Sequence, residues 1–429
     1  MAVQKGFSSV FRSLKYRNFK LFFAGQSISL VGTWMQRMAV SWLVYDVTHS
    51  AILLGLVMFA GQFPSLLLGP YGGIISDRYS RYKILLFTQV ASLVQAGALT
   101  IMILGGYYST LGVILLSALL GVINAFDIPS RQSLMIELIE DKENLPNAIA
   151  LNSSMVNLAR LIGPTVAGFL IAWVGEGMCF LINTLTFIPV LSSLLLMKIK
   201  PKTSFKRDHN VWESLKQGYQ YLQTKPDIRL MIILMACISF SVMPFLTLLP
   251  IFAKDIFHGD AKTLSWLEAA TGLGALGGAI YLAGAQKIKN LSKLVIVSIF
   301  IFSGTLALFS YSPWLWMAIL FLAISGIGQM IQISGSNSYI QTHVDDQMRG
   351  RVISFYAMAF QGMMPIGSFV AGFSANHIGA PLTLFIMSLF GLITAVIFYF
   401  LLKKVRMRIV TRDRLEIRET PGFNFDAKL

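Results

Sequence analysis

Twelve long runs of apolar residues follow one another along the chain, and short polar stretches separate most of them. The runs cover about 21–44, 51–75, 84–104, 110–126, 148–173, 177–197, 228–250, 263–284, 293–310, 314–334, 351–375 and 380–402. An apolar run of about 18 residues or more is long enough to cross a bilayer as a helix. A β-barrel would instead show short segments that alternate between apolar and polar residues. The pattern therefore predicts an all-α integral membrane protein with twelve transmembrane helices, called spans 1 to 12 below.

A polar stretch after span 6 divides the chain into two halves of six spans. In both halves an acidic pair precedes a run that ends in Val-Ala-Gly: Glu140-Asp141 precedes Gly168, and Asp345-Asp346 precedes Gly372. Two related six-helix bundles are the layout of a parallel-repeat transporter, whose site lies between the halves near the bilayer midplane. The predicted segments are an N-terminal segment 1–20, a bundle 21–197, a linker 198–227, a bundle 228–402 and a tail 403–429.

The linker contains one amphipathic stretch, at 211–222. Its larger apolar side chains fall on one helical face, and they are Trp212, Leu215, Tyr219 and Leu222. This spacing predicts a surface helix that lies on the inner leaflet of the membrane. A solvated linker helix is the alternative.

The composition supports a membrane protein, because 55% of the residues are hydrophobic and only 13% are charged. A soluble protein of this length needs more charge to cover its surface. Of the 35 lysines and arginines, 31 lie in the termini and loops of one side, and only Lys254 and Lys262 lie in those of the other. This asymmetry predicts that both termini are cytoplasmic, in a bacterial inner membrane. The net charge of +15 then faces the anionic inner leaflet, and nucleic acid is not needed to explain it.

Several other kinds of site are not indicated. Cys179 and Cys237 both lie within apolar runs, so we expect small core hydrophobes rather than a disulfide or a metal site. The first run is too long for a cleaved signal peptide and lacks a small-residue cleavage site, so we expect it to remain as a helix. A phosphate-binding loop of the Gly-x-x-x-x-Gly-Lys-Ser/Thr type is missing, which argues against ATP as the direct energy source. We expect no cofactor.

The polar loop between spans 2 and 3 resembles the signature of the major facilitator superfamily. It has a glycine, three residues, Asp-Arg, two residues, an arginine and then a basic residue, in the stretch Gly73–Lys83. Other stretches resemble the branch that holds the enterobactin exporter and macrolide efflux proteins: Phe11–Phe19, Phe126–Gln132, Arg160–Pro164 and Arg349–Arg351. The chain departs from the signature at Ser80 and Tyr82. It also lacks the Arg-x-x-Gln-Gly pattern that proton-coupled relatives carry in span 4.

The resemblance implies that this loop latches the two halves together on the cytoplasmic side. The latch residues are Gly73, Asp77, Arg78, Arg81, Asp127 and Arg131. Asp77 would sit at the N-terminus of span 11, where the helix dipole favours an anion, and Arg81 would pair with Asp127. Breaking such a pair costs about 3 kcal/mol or more, which is comparable to the gap between two conformations. The alternative is that these charges only anchor the loop at the cytoplasmic face.

The resemblance also identifies an exporter motif in span 5, formed by Gly163, Pro164 and Gly168. In the family this motif is thought to shape the seal between the halves. The alternative is ordinary packing of small residues together with a proline kink.

Two polar stripes follow helical spacing within apolar spans. Gln26, Ser29, Thr33 and Arg37 form the stripe in span 1, which lines the central cavity in the family. Ser325, Gln329, Gln332 and Ser336 form a second stripe in span 10. We expect the first stripe, Gln329 and Gln332 to contact a substrate. Interhelical hydrogen bonding that holds the bundle together is the alternative.

Two further charges are predicted within the membrane. Arg160 lies about 18 Å into span 5, near the midplane, and such intramembrane charges are candidates for function. An ion pair within its own half is the alternative. Glu268 is the main acid within the second half, and burial would adapt it to proton exchange. A partly hydrated residue at the rim is the alternative there.

The predicted function is a secondary transporter that exports a small amphiphilic or anionic molecule, such as a siderophore, a macrolide or another drug. It would work by alternating access, as a monomer, with protons as the coupling ion. An importer of a nutrient or a flippase for a lysolipid is the alternative within the same class. A membrane enzyme is disfavoured, because no Gly-x-Ser-x-Gly or His-Glu-x-x-His motif is present. A sensor that has lost transport is a remote alternative.

Overall fold

A computed structural model of the chain describes residues 11–199, 211–284 and 290–419. Parts of the predicted N-terminal segment, linker and tail therefore lie outside the described residues, as does the loop at 285–289. Within the described ranges the regular secondary structure is entirely helical. This agrees with the prediction of an all-α protein.

The helices are labelled α1 to α14 in chain order. They are α1 Arg17–Thr48, α2 Ala51–Arg78, α3 Arg81–Leu104, α4 Thr110–Glu137, α5 Leu145–Val174, α6 Glu176–Leu195, α7 Val211–Thr224, α8 Pro226–Ser241, α9 Phe245–Ile251, α10 Ala261–Gly284, α11 Leu291–Ser310, α12 Leu315–His343, α13 Arg349–Ile378 and α14 Ala380–Glu419. Short 3₁₀ turns occupy Arg12–Lys15 and Lys142–Asn144, and a π-helical turn occupies Phe252–Ile256.

The predicted spans correspond to these helices in order. Spans 1 to 6 are α1 to α6, span 7 is α8 with α9 and the π-helical turn, and spans 8 to 12 are α10 to α14. Ten helical stretches of the described residues are long and apolar enough to cross a membrane. The other two spans are α1 and α10, which are long, at 32 and 24 residues, but are not among these ten. They carry Arg37 and Glu268, whereas the third candidate charge, Arg160, lies in α5, which is one of the ten.

Several helices extend beyond their apolar runs. α4 continues to Glu137 rather than ending near 126, and α12 continues to His343 rather than ending near 334. Hydropathy marks the part of a helix that contacts apolar surroundings, whereas the hydrogen-bonded backbone continues through polar residues until a capping or turn conformation ends it. This difference decides which residues of the latch meet.

The helices form two packed groups. In the first half α1 packs on α5 and α6, α3 packs on α4 and α6, and α2 packs on α4. In the second half α12 packs on α10 and α11, α14 packs on α8 and α11, and α8 packs on α13. The halves meet mainly along two helix pairs, α2 with α13 and α5 with α10. The space between these two pairs is the position of the candidate site.

One side of the linker helix α7 packs on the second half, and another side faces outward. Gly218 lies against the ring of Phe355 in α13, and Leu222 is buried. The backbone N–H of Asp345 donates a hydrogen bond to the Tyr221 hydroxyl at 3.1 Å. Tyr219, from the predicted apolar face, is exposed. Part of the amphipathic character of α7 therefore serves a contact with the second half, and its contact with the membrane stays a prediction.

Candidate functional site: a charged cavity between the halves

A central cavity lies between the two halves. Its lining comes from α1, α2, α5, α9, α10 and α13: Trp34, Arg37, Met38, Ser41, Met58, Arg160, Leu246, Thr247, Glu268, Thr271 and Met364. The room left for water-sized molecules is small, about 40 Å³. One water molecule needs about 10–15 Å³ of such space, so the cavity has room for only a few waters. A cargo molecule fits there only after the helices move apart.

Two arginines from different helices share one aromatic ring in this cavity. The guanidinium carbon of Arg37 lies 5.2 Å from the ring centre of Trp34, and that of Arg160 lies 5.9 Å from it. A cation over an indole face gains electrostatic attraction, and the gain is larger away from bulk water. The ring of Trp34 therefore offsets part of the repulsion between these two like charges.

Glu268 is the acidic side chain that lines the same cavity. Neither arginine forms a direct ion pair with any residue in the described ranges. Arg160 instead donates a hydrogen bond across the interface to Oε1 of Gln329, in α12, at 3.4 Å. With two cations and one carboxylate, the cavity carries a net charge of about +1, which favours an anion over a cation or a neutral molecule.

The four polar residues of the stripe predicted in span 1 line two different cavities. Gln26, Ser29 and Thr33 line a second, polar chamber inside the first half, between α1, α3, α4 and α6, whereas Arg37 faces the central cavity. Asp127 and Arg131 line that chamber too. A cargo contact for the three smaller residues stays a prediction that now requires the cargo to reach this chamber.

The two glutamines predicted in span 10 also have different surroundings. Gln329 meets Arg160, as described above. Gln332 is fully buried, and its amide nitrogen lies 3.1 Å from the sulfur of Met235. Gln332 does not line the central cavity in this conformation.

The latch residues form a different set of ion pairs from the predicted one. Arg81 pairs with Glu137 and, at 3.2 Å, with Asp77. Asp127 pairs with Arg131 at 3.4 Å and accepts hydrogen bonds from Thr88 and Gln89. The predicted pair of Arg81 with Asp127 is wrong, because α4 extends ten residues beyond Asp127 and brings Glu137 to the loop.

α2 and α13 make their close backbone approach away from the end that carries the Gly73–Lys83 loop, called the latch end below. Near the opposite end, a Cβ on Gly372 would lie 2.8 Å from the Cα of Gly55. Midway, Gly362 meets only the side chain of Leu66. At the latch end, a Cβ on Gly73 or Gly350 would meet no atom within 4 Å. The backbones of α2 and α13 are therefore in contact at the opposite end, and they make no such contact at Gly73 and Gly350.

Two polar contacts between the halves reinforce closure at the opposite end. Tyr45 donates a short hydrogen bond to the carboxylate of Asp255. The ammonium of Lys254 lies 2.6 Å from a carboxylate oxygen of Asp46 and donates to its backbone oxygen at 3.0 Å. This cluster was not predicted from the sequence. Its only signal was that Asp46 and Lys254 each follow a predicted span on the less basic side, which does not identify them as partners.

The exporter motif divides its contacts between the halves. A Cβ on Gly163 would lie 2.5 Å from the Cβ of Trp34 in α1, within the same half. A Cβ on Gly168 would lie 2.3 Å from the Cβ of Ser265 in α10, across the interface. Gly163 thus lets α1 approach α5 at Trp34, and Gly168 lets α5 approach α10. Pro164 is buried within α5.

Comparison with known proteins gives the family. Residues 8–420 match the family described as "Transmembrane secretion effector". The chain belongs to this family of the major facilitator superfamily. It is 26% identical to the staphyloferrin A transporter of Staphylococcus aureus, over 91% of this chain and 98% of that protein. It is 24% identical to macrolide efflux protein A of Streptococcus pyogenes, over 85% of this chain and 92% of that protein.

Solved structures support the same fold. One similar structure is that of a bacterial homologue of the human lysosomal transporter Spinster, in an inward-facing and unoccupied conformation. Its TM-score is 0.71 at 14% sequence identity, with 92% of this chain and 98% of that chain covered. The predicted superfamily and its all-α fold of two six-helix bundles are confirmed. The protein is a multi-pass membrane transporter of the efflux type.

Proposed function

We propose that the protein exports an anionic, amphiphilic small molecule of the siderophore class through the central cavity. The observation that carries this proposal is the cavity itself, where Arg37 and Arg160 face one carboxylate, Glu268, between the two halves. Met38, Met58 and Leu246 add apolar surface beside the charges. The similarity to a staphyloferrin A transporter and to a macrolide efflux protein supports export of a medium-sized molecule.

The proposed orientation places the latch end and both termini in the cytoplasm of a bacterium. The support is the positive-inside asymmetry, which puts 31 of 35 basic residues on the side of the latch. The structure then corresponds to an inward-facing state of a monomer. Outward release requires separation of α2 from α13 at the opposite end and of Tyr45 and Asp46 from their partners. Closure at the latch end would accompany this movement, as alternating access demands.

The membrane potential favours this direction for an anion. Moving one negative charge out of a cell with a negative interior gains about 2.3 kcal/mol per 100 mV. The proposed effect of protons on transport depends on the Glu268 carboxylate. Because loss of its negative charge raises the net charge of the cavity from about +1 to about +2, protonation strengthens the attraction for an anion.

The Glu268→Gln variant tests this role, since glutamine resembles the protonated carboxyl group. We expect the KM for an anionic cargo to fall by about tenfold, because a neighbouring repulsive charge is removed. We also expect the pH dependence of KM to disappear. Uptake into inverted vesicles between pH 5.5 and 8 measures both, with Glu176→Gln, outside the cavity, as the matched control. An unchanged KM and pH profile in Glu268→Gln would remove this residue from the proposal.

The cargo is tested by untargeted mass spectrometry of the growth medium. Three strains are compared under iron-replete and iron-limited conditions: one lacks the protein, one overproduces it, and one overproduces Arg37→Gln. We expect an anionic metabolite to accumulate outside only with the unaltered protein, and more strongly under iron limitation. A compound that is depleted from the medium would indicate import instead. The absence of any exported metabolite would overturn the siderophore class and favour a drug supplied from outside.

A further inference from the structure

A third cavity lies on the outside of the second half, at the latch end, between the start of α11 and the end of the apolar part of α14. Its lining residues are Asn290, Ser292, Lys293, Ile296, Tyr399, Leu402, Lys403 and Met407. It offers about 270 Å³ to water-sized molecules, much more than the central cavity. Both helices belong to the same half and neither forms a major contact between the halves. The groove is therefore separate from the proposed path of the cargo.

The groove combines positive charge with an apolar floor. Lys293 and Lys403 are both exposed, and neither forms an ion pair with a described residue. None of the lining residues is acidic. Ile296 and Leu402 are buried at the base of the groove. A ligand that fits this lining has an anionic group next to an apolar chain.

The level of the groove along the helices matches the boundary of a membrane. The apolar run of α14 ends at Leu402, and Lys403 and Lys404 follow at once. Lys293 lies in the first turn of α11. Tyr399, which is 41% exposed, has the amphipathic ring that is enriched where hydrocarbon meets lipid headgroups. We therefore expect the two ammonium groups at headgroup level and the apolar floor at the level of the first acyl carbons.

We propose that this groove binds one anionic phospholipid, with its phosphate between Lys293 and Lys403 and an acyl chain over Ile296 and Leu402. Basic pockets between transmembrane helices on the cytoplasmic side recognise such headgroups. The charge complementarity and the apolar floor together favour a lipid over free phosphate, which has no acyl chain to bury. The proposal does not depend on the cargo and remains testable if the proposed cargo is wrong.

Native mass spectrometry of the full chain in detergent tests the proposal, with phosphatidylglycerol and phosphatidylcholine of the same acyl chains as probes. We expect the unaltered protein to retain phosphatidylglycerol in preference. In the double variant Lys293→Gln with Lys403→Gln, the affinity for phosphatidylglycerol should fall by about 25-fold, about fivefold for each lysine lost. Binding of phosphatidylcholine should not change.

A matched variant, Lys198→Gln with Lys216→Gln, removes the same charge from exposed lysines outside the groove. It should keep the preference of the unaltered protein. If it loses the preference equally, the effect is general surface charge and the proposal fails. The proposal also fails if the groove variant binds phosphatidylglycerol normally, or if inorganic phosphate at millimolar concentration displaces the lipid.

Discussion

Replacing Arg37 by glutamine is expected to reduce transport of the anionic cargo by about 100-fold, equivalent to ~3 kcal/mol of lost interaction with a desolvated charge. The side chain lies between the halves, next to the ring of Trp34 and in the same cavity as Glu268. Without Arg37 the cavity has one cation and one carboxylate, so its net charge falls from about +1 to about 0. An anion then meets no net attraction.

Transport assays in vesicles measure this effect, with the amount of inserted protein determined on the same membranes. The matched control is Lys262→Gln, which removes one positive charge outside the cavity and should leave transport within about twofold. Arg37→Lys keeps the charge but not the planar fork of the guanidinium, so we expect intermediate activity. If Arg37→Gln transports the anionic cargo at the normal rate, or if it loses neutral and anionic cargo equally, Arg37 is not the anion-binding group.

The sequence was sufficient for the fold because a bilayer leaves only one solution for long apolar runs that are not strands. It was also sufficient to identify Arg37, Arg160 and Glu268 individually, since a charge inside an apolar run is conspicuous. Their meeting in one cavity was not predictable. They lie on α1, α5 and α10, and it is mainly the packing of α5 on α10 that brings the third helix to the first two.

The stripe in span 1 shows why helical spacing alone misleads. Gln26 and Arg37 are eleven residues apart, about three full turns, so they share a helix face but differ in depth by about 16 Å. At the depth of Gln26 the neighbours of α1 come from α3, α4 and α6, whereas at Arg37 they come from α5 and α10. One face of one helix therefore serves two different sites.

The latch illustrates a second limit. Hydropathy placed Asp127 at the inner end of span 4, but the helix continues for ten residues to Glu137. Arg81 consequently meets Glu137, and Asp127 is buried in the polar chamber with Arg131. The role of the latch in holding the halves together stays a prediction. In the present structure both ion pairs of Arg81 lie within the first half.

Substituting Gly372 by alanine is expected to hold the transporter open at the end opposite the latch. A Cβ at this position would lie 2.5 Å from the backbone oxygen of Ala51 and 2.8 Å from the Cα of Gly55. Backbone atoms of a packed helix cannot move aside as a flexible side chain can, and overpacking of this kind costs about 1–3 kcal/mol. Since alternating conformations differ by only a few kcal/mol, we expect the open population to rise by about tenfold or more and transport to fall similarly.

Labelling of a cysteine in the cavity reports this change directly. In a background with Cys179→Ala and Cys237→Ala, Ser41→Cys places one thiol in the central cavity, where Ser41 is buried in the present conformation. A membrane-impermeant maleimide added from the opposite side should react about tenfold faster in Gly372→Ala. The control is Gly304→Ala, because that helical glycine has no atom within 4 Å of the added Cβ. Equal labelling rates in the two glycine variants would show that the approach of α2 to α13 at Gly55 and Gly372 does not close this end.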